Sequence, residues 1–113
     1  MSPPESSPEN IALTFVQALV QGTFEVAHAL LTPALQQQYP VERLQQVFEE
    51  MVAYGGTPPH VVEVMATLAD WPGKIQEDWG WVYVAVAGDD YGEAVTVIVQ
   101  KNLRIRDLEW GRP

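Results

Sequence analysis

The stretch WGWVYVAVAGDDYGEAVTVIVQ, residues 79–100, decides the fold. Side chains alternate in two runs, Trp79–Ala87 and Ala94–Gln100, which flank the turn residues GDDYGE. A period of two is typical of β-strands, and Asp and Gly between two such runs favour a hairpin. An even-length loop pairs the valines of the two strands and places Tyr83 opposite Ile98. The predicted valine pairs are Val82 with Val99, Val84 with Val97, and Val86 with Val95.

Two further strands flank this hairpin in the sequence. VVEVMATL, residues 61–68, alternates in the same way, and a long polar connection, residues 70–78, joins it to the hairpin. The last strand changes parity at Arg106 and Asp107, and a one-residue bulge there would return its apolar side chains to one face. These side chains are Leu103, Ile105, Leu108 and Trp110. The sequence therefore predicts a four-stranded antiparallel sheet.

The first half of the chain has helical spacing instead. Ser7 is suited to cap a first helix with Pro8 at its first position, and Gly22 is suited to end it in the left-handed conformation. Thr23 and Thr32 are predicted to cap two short helices that follow. A fourth helix has the clearest amphipathic pattern. Its apolar stripe consists of Leu44, Val47, Phe48 and Met51.

The composition limits the classes of function. The chain has 113 residues, no cysteine and a formal net charge of -9. Such a charge repels phosphate backbones and anionic lipid head groups, so nucleic-acid and membrane-surface partners are disfavoured. The Pro- and Ser-rich residues 1–7 predict an unstructured tail, and residues 8–113 predict a single domain without metal or disulfide staples. Because the N-terminus has no secretory signal pattern, we expect a cytoplasmic protein.

Two segments carry a family resemblance. The first, residues 15–56, contains a helix, a turn and two further helical elements, and the second, LRIRDLEW at residues 103–110, is a closing strand with Asp107 at a position where glycine is common. The matching positions of the first segment are Gly22, Thr23, Phe24, Leu31, Thr32, Pro33, Leu44, Phe48 and Gly55. The chain resembles small bacterial members, of unknown function, of the nuclear transport factor 2-like (cystatin-like) superfamily, which also includes ketosteroid isomerases and polyketide cyclases.

The resemblance implies an α+β fold, with N-terminal helices packed on a curved four-stranded antiparallel sheet that forms a cone. It also implies a pocket between the sheet and the helices, and a homodimer formed through the other face of the sheet. Alternation places Trp79, Trp81 and Tyr83 on one face of the sheet, together with the leucines of the last strand, and the valines on the other. We assign this Trp, Tyr and Leu face to the pocket. We assign the valine face to a partner subunit, because an apolar face in water is an aggregation hazard. The opposite assignment of the two faces stays open.

This assignment gives two sets of candidate residues. The pocket-lining candidates are Phe15, Phe48, Trp81, Tyr83, Ile98 and Asp107. The dimer-face candidates are Val82, Val84, Val86, Val95, Val97, Val99, Arg104 and Arg106. A core that fills the pocket completely is an equally open alternative.

The residues form no catalytic or metal-binding pattern. His28 and His60 are interpreted as surface or boundary residues, since nothing in the sequence pairs either with a second catalytic group. Asp70 and Asp78 flank the polar connection and are interpreted as solvated. No metal-ligand spacing or cofactor motif is found, and the Tyr and Asp residues do not match an isomerase pattern.

Three hypotheses on function follow. The favoured one is a non-enzymatic homodimeric domain that acts through its surface or a small apolar pocket. The second is a binder of a small apolar molecule, or an isomerase-like or cyclase-like enzyme, that uses the cone pocket. The third is a protein-interaction subunit of the immunity type, whose acidic surface neutralises a basic protein.

Overall fold

Helices fill the first half of the chain and strands the second, as the change in periodicity predicts. The computed structural model describes residues 7–53, 59–89 and 92–111. Its helices are α1 (Pro8–Gln21), α2 (Phe24–Ala29), α3 (Pro33–Gln38) and α4 (Val41–Ala53). Its strands are β1 (Val61–Leu68), β2 (Asp78–Ala87), β3 (Gly92–Gln100) and β4 (Ile105–Trp110). The helices pack on a curled four-stranded antiparallel sheet, so the predicted α+β class is confirmed.

Three predicted features fall beyond the described ranges. They are the tail, of which only Ser7 is described, the position Gly55 of the family resemblance, and the tip of the central hairpin at residues 90–91. Within the described ranges, no helix has both the length and the apolar character needed to cross a membrane.

Local signals set the ends of the helices. Ser7 Oγ accepts a hydrogen bond from a first-turn amide at 3.1 Å, and Pro8 takes the first position of α1. Gly22 ends α1 with φ 81°, a conformation that strains a residue with a Cβ. Thr32 caps α3 through its side chain, as predicted. The predicted side-chain cap at Thr23 is wrong, because its hydroxyl donates to a carbonyl of α1 instead.

The strands lie in the sheet in the order β1-β2-β3-β4. In the central hairpin Ala87 pairs with Gly92, so the register is shifted by two residues from the predicted one. The observed pairs include Trp81 with Ile98, Val82 with Val97, Tyr83 with Thr96, and Val84 with Val95. An even shift does not move side chains between faces, so the valines still share one face.

The valine face packs against the helices, which reverses the predicted assignment of the two faces. Its six valines are fully buried in one cluster with Phe15, Leu19 and Leu44. They are Val82, Val84, Val86, Val95, Val97 and Val99. Compact side chains let α1 approach the sheet closely. At Gly80 in β2, an added Cβ would lie only 2.5 Å from Cβ of Pro8, which begins α1.

Bulges decide which side chains join this buried face. The bulge predicted around Arg106 and Asp107 is confirmed, because the pairing of β3 with β4 skips Arg106. It brings Ile105 and Leu108 together on the buried face, although this is the valine face and not the predicted Trp and Tyr face. A second irregularity, at Trp79, turns that side chain against the core and away from its predicted neighbours Trp81 and Tyr83.

Candidate functional site: the outer face of the sheet

On the side of the sheet that faces away from the helices, strand pairing sets four rows of side chains. The row at the tip end of the central hairpin consists of Val61, Ala87 and Gly92, and the other three rows form the candidate site. The first row consists of Leu68, Trp81, Ile98 and Asp107. The second row consists of Ala66, Tyr83, Thr96 and Glu109. The third row consists of Glu63, Ala85 and Ala94. We call these residues the outer face.

An aromatic pair occupies the centre of the outer face. The rings of Trp81 and Tyr83 stack with their centroids 6.0 Å apart and their planes 7° apart. Both side chains are only half-buried, and Leu68 beside them is 41% exposed. Water therefore contacts a contiguous apolar patch on this side of the sheet.

Every charged side chain of the outer face is acidic. Asp107 and Glu109 border the aromatic pair on the β4 side, and Glu63 borders it on the β1 side. Asp107 is held locally, because its carboxylate accepts a hydrogen bond from the amide of Leu108 at 2.9 Å. Within the described residues, neither Glu63 nor Glu109 takes part in an ion pair. The rim of the apolar patch is therefore negative.

The depression on the outer face is too small for an organic ligand. It lies beside Trp81, Ile98 and Asp107 and has a volume of about 30 Å³, which leaves space for a water molecule or two. Larger depressions of about 650 and 420 Å³ are open to solvent, one beside Trp110 and one beside Lys101. Neither of these brings the predicted pocket residues together.

The six predicted pocket residues fall on opposite sides of the sheet. Phe15 and Phe48 are buried with the helices on the valine side. The other four, Trp81, Tyr83, Ile98 and Asp107, belong to the outer face. The prediction is therefore corrected: these residues do not line one cavity, because the helices cover the opposite face from the one assigned to them.

The eight predicted dimer-face residues lie away from the outer face. The six valines are fully buried beneath the helices. Arg104 donates to the carbonyl oxygen of Ala29 at the end of α2, and Arg106 is bound to Asp78. Both arginines thus bind groups of their own chain. The prediction that the six valines meet a partner subunit is corrected, because the helices cover them.

The fold contains a buried ion pair that the sequence does not predict. Asp78, interpreted as solvated, is 1% exposed, and Nε and Nη2 of Arg106 each donate to one of its carboxylate oxygens at 2.7 Å. The amide of Ile75 donates to the same carboxylate at 3.0 Å. Burial raises the pKa of Asp78, but the hydrogen bonds from Arg106 and Ile75 outweigh this, so the pKa lies below its ordinary value. The pair ties the connection before β2 to the bulge of β4.

The two histidines have partners within the fold. His28 Nε2 lies 3.3 Å from the carbonyl oxygen of Gln36, whose side-chain amide donates to the carbonyl of His28 at 3.0 Å. His60 Nε2 lies 2.9 Å from a carboxylate oxygen of Asp89, and both side chains are exposed. The predicted surface or boundary positions of the histidines are confirmed. Among the described residues, no group of three His, Asp or Glu side chains could hold a metal ion.

No protein-family model, curated protein or solved structure matches this chain. The resemblance to the nuclear transport factor 2-like superfamily therefore stays a prediction, together with the cone-shaped pocket that it implies.

Proposed function

We propose that this chain is a non-enzymatic homodimeric domain whose outer face is the dimer interface. The observation that supports the proposal is the stacked pair of Trp81 and Tyr83, which water contacts beside the exposed Leu68. Apolar surface left in water costs about 25 cal/mol per Å², and a contiguous patch of this kind is typical of an interaction site. The proposal keeps the homodimer that the sequence predicts but moves its interface to the opposite face of the sheet.

The dimensions of the outer face correspond to a small interface. Three rows of side chains spaced ~6.8 Å apart cover about 20 Å along the strands, and four strands spaced ~4.8 Å apart are about 19 Å wide. The area is then about 400 Å² per subunit, or about 800 Å² in total, which is the size range of transient complexes. We therefore expect a dimer that dissociates on dilution.

We assign no reaction to the chain. The described acidic and basic side chains that lie within contact distance are already hydrogen-bonded to each other. Arg106 neutralises Asp78, and His60 lies against Asp89 at the surface. A catalytic carboxylic acid in an apolar site requires a raised pKa. The pKa of Asp78, the buried carboxyl of the described residues, is lowered instead.

Sedimentation over a dilution series tests the proposal. Leu68→Glu places a charge within the outer face at a position that is already exposed, so the chain should fold and its dimer should weaken. Val26→Glu is the matched control, because it adds the same charge to an exposed apolar position on α2 and should leave dimerisation unchanged. Far-UV circular dichroism of both variants checks their folding.

Two results would overturn the proposal. One is a wild-type chain that stays monomeric up to the highest concentration at which it is soluble. The other is an equal weakening of the dimer by Leu68→Glu and Val26→Glu, because the effect would then come from overall charge and not from the outer face.

A further inference from the structure

We infer that the outer face prefers a partner protein whose apolar surface is bordered by lysine or arginine over a second copy of this chain. The inference rests on the proposed function, because both use the outer face as an interface, and it adds the chemistry of the preferred partner. The acidic side chains Glu63, Asp107 and Glu109, placed around the aromatic pair, carry it.

Pairing two copies through this face brings carboxylates to carboxylates. When two sheets pack face to face with their strands roughly aligned, the two-fold axis runs either along or across the strands. An axis along the strands places β1 of one subunit over β4 of the other, so Glu63 approaches Glu109. An axis across the strands places β1 over β1 and β4 over β4, so carboxylates on the same strand approach each other. In both arrangements like charges meet at the rim of the apolar patch.

None of the lysine and arginine side chains among the described residues lies on the outer face to offset this repulsion. Arg106 is bound to Asp78, and Arg104 is bound to a carbonyl oxygen at the end of α2. The remaining bases of the described ranges lie on α4 and in the loops next to the sheet, and are Arg43, Lys74 and Lys101. The formal net charge of -9 on each chain adds to the repulsion between two copies.

A basic partner removes the repulsion and keeps the apolar contact. Glu63 and Glu109 are exposed, and within the described residues they have no ion-pair partner of their own, so both are available to lysine or arginine. A single exposed ion pair contributes little, but two to four of them together favour the basic partner by about tenfold. Opposite charge also speeds the encounter between the two proteins.

A charge-reversed copy of the chain serves as the basic partner in the test. The variant with Glu63→Lys and Glu109→Lys keeps the aromatic pair and makes its rim basic. Wild type labelled uniformly with nitrogen-15 is mixed with an equal amount of unlabelled variant at low salt. The label separates the two homodimers and the heterodimer by mass, and native mass spectrometry measures all three. We expect the exchange equilibrium to favour the heterodimer by about tenfold over random pairing, and this preference should shrink as salt is added.

The control carries the same change of charge away from the outer face. Glu49→Lys with Glu50→Lys alters two exposed positions on α4, and this variant should pair with wild type nearly at random. An equal preference for the control would overturn the inference, because net charge alone would then explain the result. Circular dichroism again verifies that each variant folds.

The outcomes separate this inference from the proposed function. An excess of heterodimer with the charge-reversed copy supports the inference, and it does so even if wild type alone is monomeric, a result that would overturn only the proposed homodimer. Random pairing beside a wild-type homodimer overturns the inference and leaves the proposed function in place. Absence of every dimer overturns both.

Discussion

Gly80 is the position where one added methyl group tests how α1 packs on the sheet. A Cβ at Gly80 would lie 2.5 Å from Cβ and 2.7 Å from Cγ of Pro8, well inside the usual carbon contact of about 3.5 Å. Pro8 cannot turn aside, since its ring is fixed and it is buried at the first position of α1. Gly80→Ala must therefore push the start of α1 away from β2. We expect a loss of about 2–3 kcal/mol in the free energy of unfolding, in the upper part of the range for overpacked cores.

Urea denaturation measures this loss, and Gly92→Ala is the control. Gly92 lies in β3, and a Cβ there would have no atom within 4 Å. Alanine inside a strand is favoured over glycine by up to about 1 kcal/mol, so the control should be at least as stable as wild type. In a thermal scan, a loss of 2 kcal/mol from a chain of this length corresponds to a fall in Tm of roughly 8–10 °C.

A double-mutant cycle assigns the loss to the contact itself. Pro8→Gly removes the ring that the new methyl group meets, so Gly80→Ala should cost less than about 0.5 kcal/mol in that background. The close approach of α1 to β2 would be refuted by an equal cost of Gly80→Ala in both backgrounds. Equal stability of Gly80→Ala and Gly92→Ala would refute it as well.

Two further variants test the ion pair and the buried face. Asp78→Asn leaves the guanidinium of Arg106 without its counter-charge, and urea denaturation at neutral pH should show a loss of about 3 kcal/mol. The pKa of Asp78 is lowered in the folded chain, so its charged form stabilises the fold fully above the ordinary carboxyl pKa of about 4, and this stabilisation is lost as the pH falls through the folded pKa. The difference in the free energy of unfolding between wild type and Asp78→Asn should therefore become smaller in acid. A difference that does not change with pH would contradict the role of the Asp78 charge. Val84→Arg places a charge in the buried core, so the variant should not fold and its far-UV circular dichroism should lack the native signal. A variant that folds but is monomeric would instead support the valine face as the dimer interface.

The features that the sequence predicts correctly depend on neighbouring residues. The cap at Ser7 and the left-handed end at Gly22 each follow from the conformational preference of one residue type. The bulge at Arg106 follows from a change of parity within a single strand. In each case the physical cause lies within a few positions of the signal, so it can be read without knowledge of the tertiary structure.

The ion pair between Asp78 and Arg106 depends on residues that are distant in the sequence. The two side chains are 28 positions apart, and the pairing exists only because β2 and β4 both border β3 and a bulge frees Arg106 from the regular ladder. An Asp at the end of a polar loop is usually solvated. The sequence alone therefore indicates an exposed carboxylate where the fold has a buried one.

The assignment of the two sheet faces fails because hydrophobicity does not distinguish them. Alternation separates a valine side from a Trp and Tyr side, and either could bury the same apolar stripe of the helices. A glycine inside a strand often marks a place where another backbone comes close, and Gly80 shares its parity with Val82 and Val84. Since Pro8 leaves no space for a Cβ at Gly80, this side must be the one that the helices cover. The aromatic side is then left to water, which is the reason to look for a partner there.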